Sequence, residues 1–358
     1  MDAAGKAPQS RLDTESEALV AASAAAVVAG LAALLIFIGR NPPLWGGVSI
    51  GLVSTVSVLV LGLASGYTGY WRSRNLPGQQ WRAQLPSWKF IVDASTVALV
   101  HALIAAIAAI ATFVLLQRSF QGLTLDAFAA TVAMAVSSAL AVYWIYLSVS
   151  DIRTHKLSAL LVLFMATSMV ASMATAQDPQ WWEYHFSQLG TLGGASSSLF
   201  NLSLMVAGVF ITTFALYLNR DLRSLIERGV LVNQWSAGLC SGAFVAMGLL
   251  LAGVGAVPVD VSFLLHTLCA SGMALIFIGL LVASPLVLRG LPRRFFWLCG
   301  GFLAALIVSL VLYFPVGYFN LTAFELVAFV IIYGWIAVFI RLLDALATPT
   351  QPVPAAAA

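Results

Sequence analysis

The sequence predicts an all-α integral membrane protein of about ten transmembrane helices, and three observations carry that prediction. Hydrophobic residues fill 61% of the 358 positions and charged residues only 9%, against roughly 25% charged in soluble domains. Apolar runs long enough to span a bilayer, about 20 residues each, recur ten times along the chain. Lys and Arg, finally, gather in alternate connections between those runs.

The runs are placed at 18–39, 48–70, 91–116, 127–149, 157–176, 198–217, 235–256, 261–287, 296–314 and 322–343. With that count, one side of the membrane holds Lys6, Arg11, Arg72, Arg74, Arg82, Lys89, Arg153, Lys156, Arg220, Arg223, Arg228, Arg289, Arg293, Arg294 and Arg341. The other holds only Arg40 and Arg118, so the 17 cations divide fifteen to two. Basic loops stay cytoplasmic, which predicts both termini inside. An error of one helix would scramble the alternation. The excess of Arg over Lys and the abundance of Ala fit a GC-rich bacterial gene, and with it the bacterial inner membrane.

Taken in order, residues 1–17 are polar and aperiodic and predict a disordered cytoplasmic tail. The first apolar run follows Asp13, Glu15 and Glu17, is of full spanning length and lacks a small-residue cleavage site behind it. It therefore predicts a retained helix and not a cleaved leader. In the second run Gly62 and Gly66 form a GxxxG, and Gly238 and Gly242 repeat it in the seventh. Both patterns predict close helix contacts. The connection 71–90 interleaves Trp71, Trp81 and Trp88 with four cations. That composition suits a segment lying on an anionic leaflet, with a docking site for a cytoplasmic partner as the alternative. Asp93 and His101 lie eight residues apart on a similar face of the third helix. They fit either half of a proton path or a helix-start carboxylate and an internally bonded histidine. The connections at 71–90 and 150–158 mark seams that divide the chain into a four-helix module, 18–149, and a six-helix module, 157–343. A Pro/Ala-rich cytoplasmic tail, 347–358, is expected to be disordered.

Polar chemistry collects on the side opposite the cations. The fifth connection, 177–197, carries Glu183, His185, Ser187 and Gln188 beside Trp181, Trp182, Tyr184 and Phe186. Gly190, Gly193 and Gly194 then permit a sharp turn before the sixth helix. Asn201 in the first turn of that helix, Asp260 in the short seventh connection, His266 near the start of the eighth helix and Glu325 one turn into the tenth reach the same side. Ionisable groups inside a membrane commonly face a bundle interior or an aqueous cavity. Each also has a plainer reading. Glu325 would be favoured by the helix dipole, His266 would satisfy a neighbouring carbonyl, and Glu183 and His185 would belong to a hydrated loop.

Several classes are excluded. A net charge of +3 spread over separate membrane-proximal loops is topology and not a nucleic-acid surface. The chain has no GxxxxGK[ST], HExxH, CxxC or convincing dinucleotide loop, so ATPase, zinc-protease and redox readings lack support, and no cofactor is expected. Four dispersed histidines argue against a permanent metal site. Cys240, Cys269 and Cys299 all fall inside helices and suit small buried hydrophobes.

From about residue 157 the chain resembles a bacterial membrane-protein family catalogued as domain of unknown function 998, and more distantly the DRAM/Frag-type six-helix membrane proteins. The resemblance is carried by EYHFSQLG at 183–190, LFNLSLMVAGVF at 199–210 and GVGAVPVDVSFLLHTLCASGMAL at 253–275. It covers about half the chain and leaves the first four helices outside. It implies a six-helix bundle with polar residues gathered at its outer face. The eukaryotic group's association with lipid organisation adds weight to lipid work by analogy.

The expectation is therefore an envelope protein whose outer pocket takes a lipid or lipid-linked headgroup. Trp181, Trp182 and Tyr184 would sit at headgroup level. Ser187, Asn201 and Asp260 would orient the ligand, and Glu183, His185, His266 and Glu325 would supply acid/base groups if there is chemistry. The bilayer is the one certain partner on this reading, and no protein partner is specified. Proton-coupled transport through Asp93, His101, His266 and Glu325, and a scaffold role, are the alternatives.

Overall fold

The computed structural model describes residues 3–191 and 193–347, with side chains from Leu12 onward. Among them are ten helices long and apolar enough to cross a membrane, and no strand. Contacts divide the chain into two compact units, Met1–Ile152 and Arg153–Ala358.

The first unit holds α1 (Ala3–Phe37), α2 (Ile50–Arg72), α3 (Ser87–Ser119) and α4 (Ala127–Ser150). Its starts are set by side-chain caps. Ser49 accepts from the Leu52 N–H at 3.2 Å, and Asp126 from the Ala129 N–H at 2.7 Å, each satisfying one donor that a helix start leaves unpaired. The GxxxG of α2 packs as expected. A Cβ on Gly66 would lie 2.9 Å from the Ala98 backbone of α3, and one on Gly62 would lie 2.8 Å from Ile145 of α4. Ser65 donates to the Val142 carbonyl at 3.1 Å, and Ser57 and Ser138 bond at 2.9 Å. His101 is fully buried and both ring nitrogens are in use, Nδ1 on the Val97 carbonyl at 2.7 Å and Nε2 on Ser148 at 2.9 Å. That is the internally bonded histidine of the two alternatives.

Two expectations are corrected in this unit. Residues 3–17, expected to belong to a disordered tail, are part of α1, which is helical from Ala3, and residues 1–2 lie outside the described residues. The cause is a set of partners on other helices. Glu15 accepts from the Tyr143 hydroxyl, and Glu17 accepts from Tyr146 at 2.5 Å and pairs with Arg72 at 2.9 Å. The connection 71–90 is not wholly interfacial either. It folds into two 3-10 turns, Ser73–Asn75 and Gln80–Gln84, and Arg82 is fully buried, with its guanidinium 4.3 Å from the centre of the Tyr70 ring and 3.0 Å from Ser73 Oγ.

The second unit holds α5 (Thr154–Ala174), α6 (Gly194–Glu227), α7 (Ser236–Ala256), α8 (Phe263–Val287), α9 (Arg293–Tyr313) and α10 (Leu321–Ala347). Helix α6 packs on α5 and α7, and α10 closes on α5, α6 and α9. The α6–α7 contact is a glycine crossing, where a Cβ on Gly248 would lie 2.6 Å from the Gly208 carbonyl. Gly238 and Gly242, expected to do the same, have no atom near the position of a Cβ. They are exposed, because the face of α7 that meets α6 is the one bearing Gly248 and Gly255. Aromatic rings fill the core around Trp335, with Phe339 at 5.0 Å and Phe277 at 5.5 Å between ring centres. The Trp335 indole N–H reaches Cys299 Sγ at 3.3 Å. Cys240 is also buried and Cys269 half-buried, all three as free thiols. The tail 347–358 lies outside the described residues apart from Ala347.

Candidate functional site at the α5–α6 end of the second unit

Between α5 and α6 the chain forms two further 3-10 turns, Trp181–Glu183 and Phe186–Gly190. The second is driven into the bundle by apolar burial. Leu189 is fully buried, and Phe186 packs against Phe200 of α6 and Phe329 of α10, with ring centres 5.4 and 6.4 Å away. Burying a turn leaves backbone groups in need of partners, and the polar residues singled out in the sequence supply them. Glu325 accepts from the Phe186 N–H at 2.5 Å. Asn201 donates to the Gly190 carbonyl at 2.9 Å, and Ser197 to the same oxygen at 2.5 Å.

One residue of this framework, Asn320, stands out in the sequence only as part of a weak NxT pattern with no structural role expected of it. Asn320 caps α10 by accepting from the Ala323 N–H at 2.9 Å and donates to the Trp182 carbonyl at 2.8 Å, tying the first turn to the helix start. Its signal is an Asn directly before an apolar run. Ser172 and Ser196 add a second tie that joins the end of α5 to the start of α6. Ser172 Oγ donates to the Ser196 carbonyl at 3.0 Å, and Ser196 Oγ to the Ser172 carbonyl at 2.8 Å. Gly193 and Gly194 take φ of +69° and +74°, a conformation open to glycine without strain.

What remains for chemistry is smaller than the predicted set. His185 is half-buried, and its Nδ1 lies 3.0 Å from Ser187 Oγ. His266 is buried at the first turn of α8, with Nδ1 2.9 Å from the Val257 carbonyl. A carbonyl only accepts, so the neutral His266 ring carries its proton on Nδ1 and its lone pair on Nε2. Burial first, and repulsion by the His266 charge second, push His185 below the ordinary histidine value, so its neutral form prevails at pH 7. A neutral imidazole beside a hydroxyl can exchange a proton with it. No third group orients the His185 ring among the described residues.

The other candidates lie apart from this pair. Trp181 is half-buried, 6.3 Å from Phe186 between ring centres, while Trp182 and Tyr184 are exposed. Glu183 and Asp260 are exposed and make no side-chain bond to a described residue. Among the described residues no group of three or more His, Cys, Asp or Glu side chains could hold a metal ion. Thus the structure bonds His185 to Ser187, ties His266 to the Val257 carbonyl, spends Asn201 and Glu325 on the backbone, and leaves Glu183 and Asp260 on the surface. No family model, curated protein or solved structure matches this chain.

Proposed function

We propose that the chain is a multi-pass protein of a bacterial inner membrane whose α5–α6 end faces outward and binds or handles a lipid or lipid-linked headgroup. On this reading both termini are cytoplasmic, a four-helix module precedes a six-helix module, and the latter belongs with the family that residues 157–343 resemble. The fifteen-to-two division of the cations supports the orientation.

The observation that carries the reading is the His185–Ser187 pair in the same connection as the exposed rings of Trp182 and Tyr184, at the end of an apolar bundle. Aromatic rings of this kind favour the headgroup layer. The neutral His185 imidazole and the Ser187 hydroxyl offer donors and acceptors to phosphate or sugar oxygens without the cost of burying a fixed charge. On this reading Glu325 serves to hold the turn, through the bond it accepts from the Phe186 N–H.

The test is quantitative lipid profiling of a deletion strain complemented with the intact protein or with a His185→Ala, Ser187→Ala variant at matched membrane levels. A change in one lipid class rescued only by the intact protein supports the proposal. An unchanged profile, or equal rescue by both, overturns it in favour of solute transport or scaffolding.

A further inference from the structure

The first unit contains a cavity that the outer-end reading does not use. Its volume is about 370 Å³, within the roughly 300–1,000 Å³ of small-molecule sites. It lies where α1, the α2 end and α4 meet, and Asp13, Glu17, Trp71, Arg72, Arg74 and Tyr146 line it. A second hollow of about 220 Å³, almost wholly apolar, runs beside α1 and α2 and is lined by Ala24, Val28, Leu61, Ala64 and again Tyr146. It extends from Ala21 to Val28 on α1 and from Leu61 to Thr68 on α2, roughly 10 Å of helix. Small side chains line this stretch, and α1 packs chiefly on α4 and little on α2. The polar cavity and the apolar groove thus share one residue, Tyr146.

We propose that this pair of hollows is a binding site for a phospholipid with a zwitterionic, primary-amine headgroup, the headgroup in the cavity and the start of an acyl chain in the groove. Charge decides the headgroup. Two carboxylates and two guanidinium groups line the cavity, so a zwitterion leaves the site balanced where an anionic headgroup adds an uncompensated charge. Glu17 is already held by Arg72 and Tyr146. Asp13 is exposed and makes no side-chain bond to a described residue, which leaves it for the ammonium, and Arg74 has no carboxylate partner among the described residues, which leaves it for the phosphate. A quaternary amine would need an open aromatic face, but Arg74 lies over Trp71 at 4.5 Å. A primary ammonium with three N–H donors suits a carboxylate instead. The groove selects a lipid over a soluble phosphoamine, because only a lipid covers its apolar wall.

The experiment is native mass spectrometry of the purified full-length protein in detergent with equal amounts of phosphatidylethanolamine, phosphatidylcholine and phosphatidylglycerol. Retention of the ethanolamine lipid should exceed the others by on the order of tenfold, the ratio one charged hydrogen bond supports. Asp13→Asn should erase that preference with thermal melting unchanged, and Arg74→Gln should erase it with melting lowered only by loss of the Arg74–Trp71 contact. Ala64→Phe, which fills the groove, should lower retention of all three lipids. His185→Ala should leave the preference intact, keeping this site separate from that of the second unit. Equal retention of the three lipids, a preference that survives Arg74→Gln and Asp13→Asn, or competition by soluble phosphoethanolamine as strong as by the lipid would each overturn the proposal.

Discussion

The α2–α3 and α5–α6 connections are built from similar material and held in opposite ways. Both interleave tryptophans with polar residues, and both fold as a pair of 3-10 turns. The first is anchored by a buried cation, Arg82, set on Tyr70 and bonded to Ser73. The second is anchored by buried apolar rings, with Glu325, Asn201 and Asn320 from two helices satisfying its backbone. Beside the first, Arg72 and Arg74 join Asp13 and Glu17 of α1 in lining a cavity. In the second the Glu325 carboxylate that reaches it is spent on the backbone, and His185 with Ser187 is left over. A polar residue near a membrane therefore marks a site only after its backbone obligations are subtracted.

The largest expected effect is on the first anchor. Arg82→Ala removes a desolvated cation–π contact worth ~2 kcal/mol and a charged hydrogen bond worth ~1.5 kcal/mol or more. Two of its nitrogens, Nε and Nη1, are unpartnered and offset part of that. Thermal unfolding should therefore show a loss of about 2–3 kcal/mol, and proteolysis should become faster within 73–85. Unchanged proteolysis there would mean that the buried cation does not hold the connection.

Next comes Glu325. Its replacement by Ala leaves the Phe186 N–H without an acceptor, at a cost of ~1–3 kcal/mol. Glu325→Gln keeps an acceptor oxygen, and both stability and lipid rescue should stay close to those of the intact protein. A Gln variant that folds but fails to rescue would make Glu325 an acid/base group and erase the contrast between the connections. Asn201→Ala should cost less, ~1 kcal/mol, since Ser197 still donates to the Gly190 carbonyl. A loss as large as that of Glu325→Ala would show that Ser197 does not share the load.

The smallest effect is that of pH. His185 titrates below the ordinary histidine value in the folded protein, so the unfolded chain binds more protons once pH falls below that ordinary value. Stability of the α5–α6 end should accordingly rise with pH through this range and fall on acidification from about 7 toward 5. The dependence should vanish in His185→Gln. A dependence of opposite sign would place a carboxylate against His185.

Much of the fold was legible because each helix is a long apolar run, and all ten runs coincide with helices of the structure. The ends were less so. Helix α6 continues past 217 to Glu227, since Asn219 bonds to Ala237 and Ser241 of α7, and Leu222 and Leu225 are buried. Those contacts carry no hydropathy signal. Spacing of glycines was an uneven guide for a similar reason. Gly62–Gly66 and Gly238–Gly242 share one pattern, yet only the first meets a neighbour, because a pattern does not say which face of a helix is covered. At the candidate site, residue types named the polar groups, but only the path of the backbone between Trp181 and Thr191 assigns Glu325 and Asn201 to it. The cavity in the first unit was hidden because Asp13 and Glu17 belonged to a stretch read as disordered.

The most direct measurement is hydrogen exchange at the Phe186 amide in the intact protein, Glu325→Gln and Glu325→Ala, read by mass spectrometry in lipid nanodiscs. Slow exchange in the first two and fast exchange in the third is the expected result, since only Ala removes the acceptor. Equally slow exchange in all three would show that Glu325 does not hold the turn, returning its carboxylate to the chemistry of the α5–α6 end and contradicting the division of roles between the two connections.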